Sequence, residues 1–225
     1  MRPQCRPARI LPAPDGRRRL SSGEREQQIV QQAIGYFANH GFAASTRELA
    51  RELGISQPLL YRYFPSKEAL AERVFKEVYL SRWQPAWDQL LADRSLPLRE
   101  RLQRFYREYA GVILSSDWIR IFIQAGLTHE GINVRYLARL REQVFDVVLA
   151  ELHREFAVAA ATPQQHEDEI EFIWGLHAAI FYIGVRKWVY RLDVPEQLDR
   201  LVARQVEDFM ASAPLVLRQL RQPPQ

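Results

Sequence analysis

The chain has 225 residues, 47% of them hydrophobic, which is enough for one large or two small domains with a sizeable core. Its single cysteine, Cys5, excludes a disulfide framework and a cysteine-based metal cluster, so we expect a cytoplasmic protein without metal or cofactor. The formal net charge is only +4, but residues 1–75 contain twelve basic and seven acidic side chains. A basic N-terminal part favours a nucleic-acid partner.

Residues 1–20 form a leader rich in arginine and proline, with six arginines and no apolar stretch typical of a signal peptide. This composition predicts disorder. Two interpretations stay open: an unstructured extension or over-long assigned start, and a basic arm that lies along phosphates or in a minor groove. No segment of the sequence reaches the length that a membrane span needs, so no membrane partner is expected.

The first helix is predicted from about Glu24 to His40. Ser21 and Glu24 have the spacing of a capping box, in which each satisfies a backbone N–H of the other. Gly41 provides the end of the helix, because glycine adopts the left-handed conformation that often follows the last turn. The predicted helix is therefore bounded by a signal at each end.

Two short helices joined by a glycine turn are predicted next. Ser45 is a suitable N-cap for the first, and Gly54 provides the turn because a left-handed conformation costs glycine least. Ser56 is a suitable N-cap for the second helix, and Pro58 fits its first turn, where a missing N–H breaks no hydrogen bond. Apolar residues on the inner side leave four positions outward: Gln57, Pro58, Leu59 and Tyr61. This arrangement predicts a helix-turn-helix, whose second helix enters a DNA major groove.

The rest of the chain has a helical pattern throughout, without the alternation typical of strands. Ser66 caps a fourth helix, which is predicted to end near Pro85. Further helices are predicted at about 98–115, 117–128, 131–158, 165–191 and 195–217. The sequence therefore predicts an all-α protein with about nine helices.

The N-terminal motifs resemble the DNA-binding domain of TetR-family transcriptional regulators. The resemblance rests on four segments in order, which are residues 45–50, 53–56, 60–64 and 66–70. It implies a three-helix helix-turn-helix domain at residues 21–66 and a helical effector-binding and dimerisation domain at residues 67–220. The implied function is that of a sequence-specific DNA-binding regulator, a repressor that a small-molecule effector releases from its operator.

Contacts to base edges are assigned from side-chain chemistry. The guanidinium group of Arg47 can pair with guanine O6 and N7, and the amide of Gln57 can pair with adenine N6 and N7. Pro58 and Leu59 offer apolar surface to thymine methyl groups. Leu59 departs from the polar residue that the family resemblance leads us to expect, so the resemblance does not supply the operator sequence.

The resemblance also implies contacts to the phosphate backbone. Residues matching the family's phosphate contacts are Thr46, Tyr61, Tyr63 and Lys67, with the caps Ser45 and Ser56 at the two helix starts. Tyr63 has an alternative role, because it can instead pack under the recognition helix. The sequence leaves both roles open.

A homodimer is expected, because one short helix reads only a few base pairs and two copies can contact half-sites about one helical turn apart. In the family the last two helices pair with those of the partner. Small residues in the predicted helix at 165–191 would allow close approach, namely Gly175, Ala178, Ala179 and Gly184. The alternative use of these positions is an intramolecular core.

The effector pocket is expected in the middle of the chain, where aromatic residues are dense. Pockets for small molecules are mostly apolar with a few polar groups, so the predicted lining residues are Trp118, Phe122, Trp174 and His177. Each is equally explained as an ordinary core residue. The sequence does not reveal the ligand.

Two other classes of function are alternatives to a repressor that a ligand releases from DNA. An enzyme is disfavoured because the one dense polar cluster, His166 to Glu169, lacks metal-ligand spacing and is typical of a solvated helix start. No catalytic residue is predicted, since the sequence contains no phosphate-binding glycine loop and no Ser-His-Asp candidate. A helical adaptor, or an activator without ligand-induced release, stays the alternative.

Overall fold

The computed structural model of the protein describes residues 21–43, 45–128, 131–159 and 161–221. The predicted leader, residues 1–20, lies outside the described residues. Within the described ranges every regular element is a helix, so the all-α prediction is confirmed.

Eleven α-helices are found in the described part of the chain. They are α1 Ser22–His40, α2 Thr46–Glu52, α3 Gln57–Tyr63, α4 Lys67–Phe75, α5 Pro85–Ala92, α6 Leu98–Ile113, α7 Ser116–Thr128, α8 Ile132–Leu140, α9 Asp146–Glu155, α10 Pro163–Trp188 and α11 Leu198–Gln219. Two π-helical turns complete them: Lys76–Leu80 extends α4, and Arg141–Phe145 joins α8 to α9.

The predicted caps of the first four helices are confirmed. Ser21 and Glu24 form a capping box, with Ser21 N donating to Glu24 Oε2 at 2.8 Å. The hydroxyl groups of Ser45, Ser56 and Ser66 each accept a backbone N–H from the first turn of the helix that follows. Gly54 has a φ of +65°, the left-handed conformation for which glycine was predicted there.

Three predicted helix boundaries are wrong. Pro85 marks the end of one helical pattern, but it is also the first residue of α5, a helix that was not predicted, because proline fits a first turn. The last helix begins at Leu198 instead of near Pro195, with Gln197 as its N-cap. Helix α10 begins at Pro163, where Thr162 and Gln165 form a capping box that the sequence analysis missed.

Helix α1 is bound tightly to the rest of the molecule. It packs on α4 and α7, and a closed set of hydrogen bonds joins it to the extension of α4. Arg73 donates to Glu77 Oε2 at 2.7 Å and to Gln27 Oε1 at 2.8 Å, and Gln27 Nε2 donates to Glu77 Oε1 at 2.8 Å. The domain boundary at residues 66 and 67 stays a prediction, because the core is continuous across it.

The polar cluster at the start of α10, residues 166–169, was predicted to be a solvated helix start; Glu167 is exposed, but the prediction is wrong for Glu169. Glu169 is fully buried, and its carboxylate contacts Arg221 Nε at 2.9 Å and His153 Nε2 at 2.8 Å. These partners come from the end of α11 and from α9, far apart in sequence. A buried carboxylate needs such partners, and only the folded chain shows them.

Candidate nucleic-acid interface and effector site

Buried apolar residues set the orientation of the helix-turn-helix. Leu49 of α2, Leu60 of α3 and Phe64 at the end of α3 are at most 5% exposed. Leu53 and Ile55, in the turn between the helices, pack partly against the same core. As a consequence the opposite face of α3 points to solvent, with Pro58 exposed and Tyr61 40% exposed. Gln57 and Leu59 flank this face and are half-buried.

Three of the predicted DNA-contact residues are hydrogen-bonded to one another on this outward face. Gln57 Nε2 donates to Thr46 Oγ1 at 3.2 Å, and Thr46 Oγ1 lies 3.0 Å from the hydroxyl oxygen of Tyr61. Thr46 is the first residue of α2, whereas Gln57 and Tyr61 are one turn apart on α3. The start of α2 is therefore joined to the recognition helix by half-buried Thr46 and Gln57 and by exposed Tyr61.

The basic side chains near α3 are unpaired within the part of the chain that the structure describes. Arg47 is exposed and makes no side-chain hydrogen bond or ion pair there; Lys67, at the start of α4, is half-buried and likewise makes none. Arg62, which was not predicted as a contact, is also exposed and unpaired on α3. The signal that would have found it is its spacing: it follows Pro58 by four residues and so shares its face.

The remaining predicted residues have structural roles as well. Ser45 and Ser56 use their hydroxyl oxygens as caps, which leaves each hydroxyl proton available to a phosphate oxygen. Tyr63 is half-buried and packs against the core, which agrees with the packing role that the sequence left open. No contact to DNA is part of the structure, so the contact roles stay predictions.

The four predicted effector residues belong to one group of aromatic contacts. On α7 the rings of Trp118 and Phe122 stack on each other with centroids 4.9 Å apart. On α10 the ring centroids of Trp174 and His177 are 5.6 Å apart. Phe181 connects the two pairs, at 5.5 Å from Phe122 and 6.3 Å from His177. Phe181 was not predicted as a lining residue, although it follows His177 by one helical turn.

His177 is the polar member of this aromatic cluster. It is 5% exposed, and its Nδ1 atom has no hydrogen-bond partner among the described residues. Burial lowers the pKa of His177 from its ordinary 6.5 to about 4, because a charged imidazolium is disfavoured away from water. The imidazole is therefore neutral at pH 7 and holds an unused polar atom inside an apolar group of rings.

The aromatic cluster also touches the extension of α4. The hydroxyl group of Tyr79 donates to the backbone oxygen of Trp118 at 3.2 Å, and the two rings meet edge to face. Tyr79 lies in the π-helical turn that follows α4. Because α1 packs on both α7 and α4, the aromatic cluster is joined to the first helix directly through α7 and also through α4.

The proposed partner face of α10 differs from the predicted one. Gly184 faces the inside of its own chain: a Cβ atom there would lie 2.6 Å from Ile119 Cδ1. It therefore serves close packing on α7 and not a dimer contact. Gly175 and Ala178 are exposed on α10, and Tyr182 one turn further on is 50% exposed. Leu215 on α11 is 61% exposed.

In the described ranges no helix is both long and apolar enough to cross a bilayer. The same residues contain no group of three or more His, Cys, Asp or Glu side chains placed to hold a metal ion.

Comparison with known proteins identifies the N-terminal part of the chain. Residues 29–74 match the family model described as bacterial regulatory proteins, tetR family. These residues are a TetR-family helix-turn-helix domain. The matched range contains the whole of α2 and α3. The family consists of regulatory proteins rather than enzymes, as the sequence analysis predicted.

Relatives of the TetR-family domain are found among bacterial proteins. One is an uncharacterized HTH-type transcriptional regulator, YerO of Bacillus subtilis, which is 48% identical over 48 residues, or 21% of this chain and 17% of YerO. Another is the nucleoid occlusion factor SlmA of Haemophilus ducreyi, which is 46% identical over 57 residues, or 23% of this chain and 28% of SlmA. The chain thus matches less than a third of either relative, and the likeness concerns the TetR-family domain alone.

The whole fold is similar to that of a TetR-like transcriptional regulator from Rhodococcus sp. RHA1. The TM-score is 0.63 at 21% sequence identity, and the likeness covers 86% of this chain and 99% of that one. At such low identity the likeness concerns the fold. The predicted TetR-like architecture, an N-terminal helix-turn-helix followed by a helical C-terminal part, is confirmed.

Proposed function

We propose that this protein is a sequence-specific DNA-binding transcriptional regulator, a repressor that a small molecule releases from its operator. The observation that supports this most is the outward face of α3, where Pro58 and Tyr61 are exposed beside Gln57. Arg47 on α2 and Arg62 on α3 are exposed and make no ion pair in the described ranges, and Lys67 lies at the start of α4. A polar helix face with free cations around it suits a major groove bordered by phosphates.

The protein acts as a homodimer. A recognition helix of only seven residues contacts a few base pairs, so useful specificity requires two copies on one operator. The exposed stripe of α10, with Gly175, Ala178 and Tyr182, supports this because small residues allow close approach and an aromatic residue adds contact area. On α11, Leu215 is a further exposed apolar side chain. Such a regulator of bacterial DNA works in the cytoplasm.

The effector binds at the aromatic cluster, defined here as Trp118, Phe122, Trp174, His177 and Phe181. The unused Nδ1 atom of neutral His177 supports this position, since it can accept or donate one hydrogen bond to a ligand among apolar rings. Because the rings contact one another directly, the ligand enters by separating them. An uncharged aromatic compound suits such surroundings best.

Release from DNA follows from the contact between the cluster and α4. A ligand that separates Trp118 from its neighbours also disturbs the hydrogen bond from Tyr79, and with it the π-helical extension of α4. The movement reaches the helix-turn-helix through the packing of α4 on α1. For this to lower DNA affinity, the ligand must bind the DNA-incompetent state more tightly than the competent one.

The test begins with a selection of duplex DNA from a random-sequence library by the full chain, followed by footprinting on the DNA that flanks its own gene. The expected result is a two-fold symmetric site with half-sites one helical turn apart, bound by the dimer. Titration of the complex with a panel of uncharged aromatic compounds should identify one that releases the DNA. A folded protein that retains no duplex at low salt would contradict the proposal.

The alternatives give different results in the same experiment. A helical adaptor would show no sequence-specific duplex binding with an intact fold. An activator without ligand-induced release would bind its site in the presence of every compound and raise transcription from the neighbouring promoter.

A further inference from the structure

The outward face of the helix-turn-helix contains a hydrogen-bonded chain that runs from Gln57 through Thr46 to Tyr61. Both Gln57 Nε2 and the Tyr61 hydroxyl lie within hydrogen-bond distance of Thr46 Oγ1, at 3.2 and 3.0 Å. Tyr61 is one helical turn beyond Gln57 on α3, so both side chains lie on the face that meets Thr46. The three residues form a unit that spans two helices.

The hydrogen bond between Gln57 and Thr46 leaves part of the Gln57 amide available to DNA. A glutamine amide has two N–H donors and one carbonyl oxygen. With one N–H of Gln57 bonded to Thr46, one N–H and Oε1 are left. One donor beside one acceptor is the pattern that complements adenine N7 and N6 in the major groove. The bond to Thr46 therefore leaves Gln57 with the groups that adenine recognition needs.

The hydroxyl pair also retains a donor whichever way its hydrogen bond runs. If Thr46 donates to Tyr61, the Tyr61 hydroxyl proton is free, and if Tyr61 donates to Thr46, the Thr46 proton is free. In both arrangements one O–H is available for an anionic oxygen at the edge of the groove. The pair of Thr46 and Tyr61 hydroxyl groups can thus donate to a phosphate while Thr46 Oγ1 still accepts the hydrogen bond from Gln57.

We propose that Thr46 is a positioning residue for base recognition: its hydroxyl oxygen holds the amide of Gln57 in the orientation that selects adenine. This rests on the proposed function as a sequence-specific DNA-binding protein. A free glutamine side chain has three rotatable bonds and loses that freedom on binding, whereas a side chain held beforehand loses less. The orientation also limits which base edge Gln57 can match.

The role differs from a phosphate contact, which affects all sequences alike. If Thr46 acts only on phosphate, its loss weakens binding to every duplex by the same factor. If Thr46 acts through Gln57, its loss changes the preference at the single base pair that Gln57 contacts. The two roles are therefore separated by ratios of Kd between duplexes, not by any single Kd.

The experiment uses the full chain and the duplex that wild-type protein selects, together with its single-base-pair substitutions. Thr46→Val has nearly the same shape as the wild type but lacks the hydroxyl group, whereas Thr46→Ser retains it. The other variants are Gln57→Ala and the double variant that combines Thr46→Val with Gln57→Ala. We expect Thr46→Val to lower the base preference by roughly 3- to 10-fold at the base pair where Gln57→Ala acts, because Gln57 must then be ordered on binding. Thr46→Ser should restore the preference.

The double variant provides the decisive control. In the Gln57→Ala background, Thr46→Val should leave all base preferences unchanged and weaken the duplexes uniformly. Tyr61→Phe removes the hydroxyl group that is hydrogen-bonded to Thr46. It should lower the base preference at the same base pair by a smaller factor. Equal weakening of all duplexes by Thr46→Val alone, or the same change in preference with and without Gln57, would overturn the inference.

A measurement on the free protein keeps this result distinct from failure of the proposed function. The side-chain amide of Gln57 should be ordered in NMR relaxation of wild-type protein and of Thr46→Ser, and mobile in Thr46→Val, with equal melting temperatures. An amide equally mobile in all three would overturn the inference even if DNA binding is specific. A wild-type protein that selects no duplex would overturn the proposed function and this inference together.

Discussion

The outward face of α3 and the aromatic cluster between α7 and α10 are built in opposite ways. On α3 the side chains of Tyr61 and Arg62 are exposed, that of Gln57 is half-buried, and the predicted contact residues follow one another at helical spacing. In the aromatic cluster the rings are packed on one another, with Trp118 only 1% exposed. The contact residues on α3 are therefore accessible in the free protein, whereas the rings of the aromatic cluster must separate before a ligand can bind. This difference predicts separate effects of mutation on stability and on binding.

The largest difference concerns the free energy of unfolding. Trp118→Ala should lower it by about 3–5 kcal/mol, because the change removes a large buried ring and leaves a cavity. Tyr61→Ala should change it by no more than about 0.5 kcal/mol, since Tyr61 is exposed. Unfolding by urea, followed by circular dichroism, measures both. Equal losses in the two variants would mean that the two regions do not differ as described.

The next effect is a dependence of stability on pH that belongs to the aromatic cluster. The pKa of His177 is lowered to about 4, so between pH 6.5 and 4 the unfolded chain binds a proton that the folded chain excludes. The free energy of unfolding should fall with decreasing pH in this window, with a contribution of up to about 1.4 kcal/mol per pH unit, and none above it. Comparison of wild type with His177→Phe isolates this contribution. Identical pH profiles would show that His177 is not held neutral.

Substitutions on the outward face should act on binding and not on folding. Gln57→Ala and Arg47→Ala should each weaken binding at the selected site by roughly 1–3 kcal/mol and relax the preference at one base pair. Arg62→Ala tests the exposed cation that the sequence analysis did not include. Fluorescence anisotropy with the selected duplex measures the loss, and urea unfolding should be unchanged. A loss of the same size for an unrelated duplex would assign these residues to the phosphate backbone.

The smallest expected effect on DNA binding is that of Lys67, which lies at the start of α4. Lys67→Ala should weaken all duplexes alike and reduce the slope of log K against log salt by about 0.9, the value for one phosphate contact. The matched control is Lys76→Ala, in the π-helical turn beyond α4. An altered base preference without a change in slope would contradict the role of Lys67.

What the sequence by itself determined is the local structure and the helix-turn-helix. Helix caps and turns depend on residues within about four positions of one another, and for this reason Ser45, Gly54 and Ser56 could be assigned from spacing alone. The outward positions of α3 followed from the same spacing. Pro85 shows the limit, because a proline that ends one helix and a proline that begins the next look alike in sequence.

The tertiary structure decided every contact that depends on how one helix is turned against another. Glu169 was predicted to be solvated and is buried against Arg221, and Gly184, for which the sequence left a dimer contact and an intramolecular core open, packs on α7. The bonds that join Thr46 to Gln57 and Tyr61 were equally invisible, because their side chains come from two helices. A helical pattern in sequence gives the positions that share a face, but the rotation that brings two faces together comes from packing of the whole core.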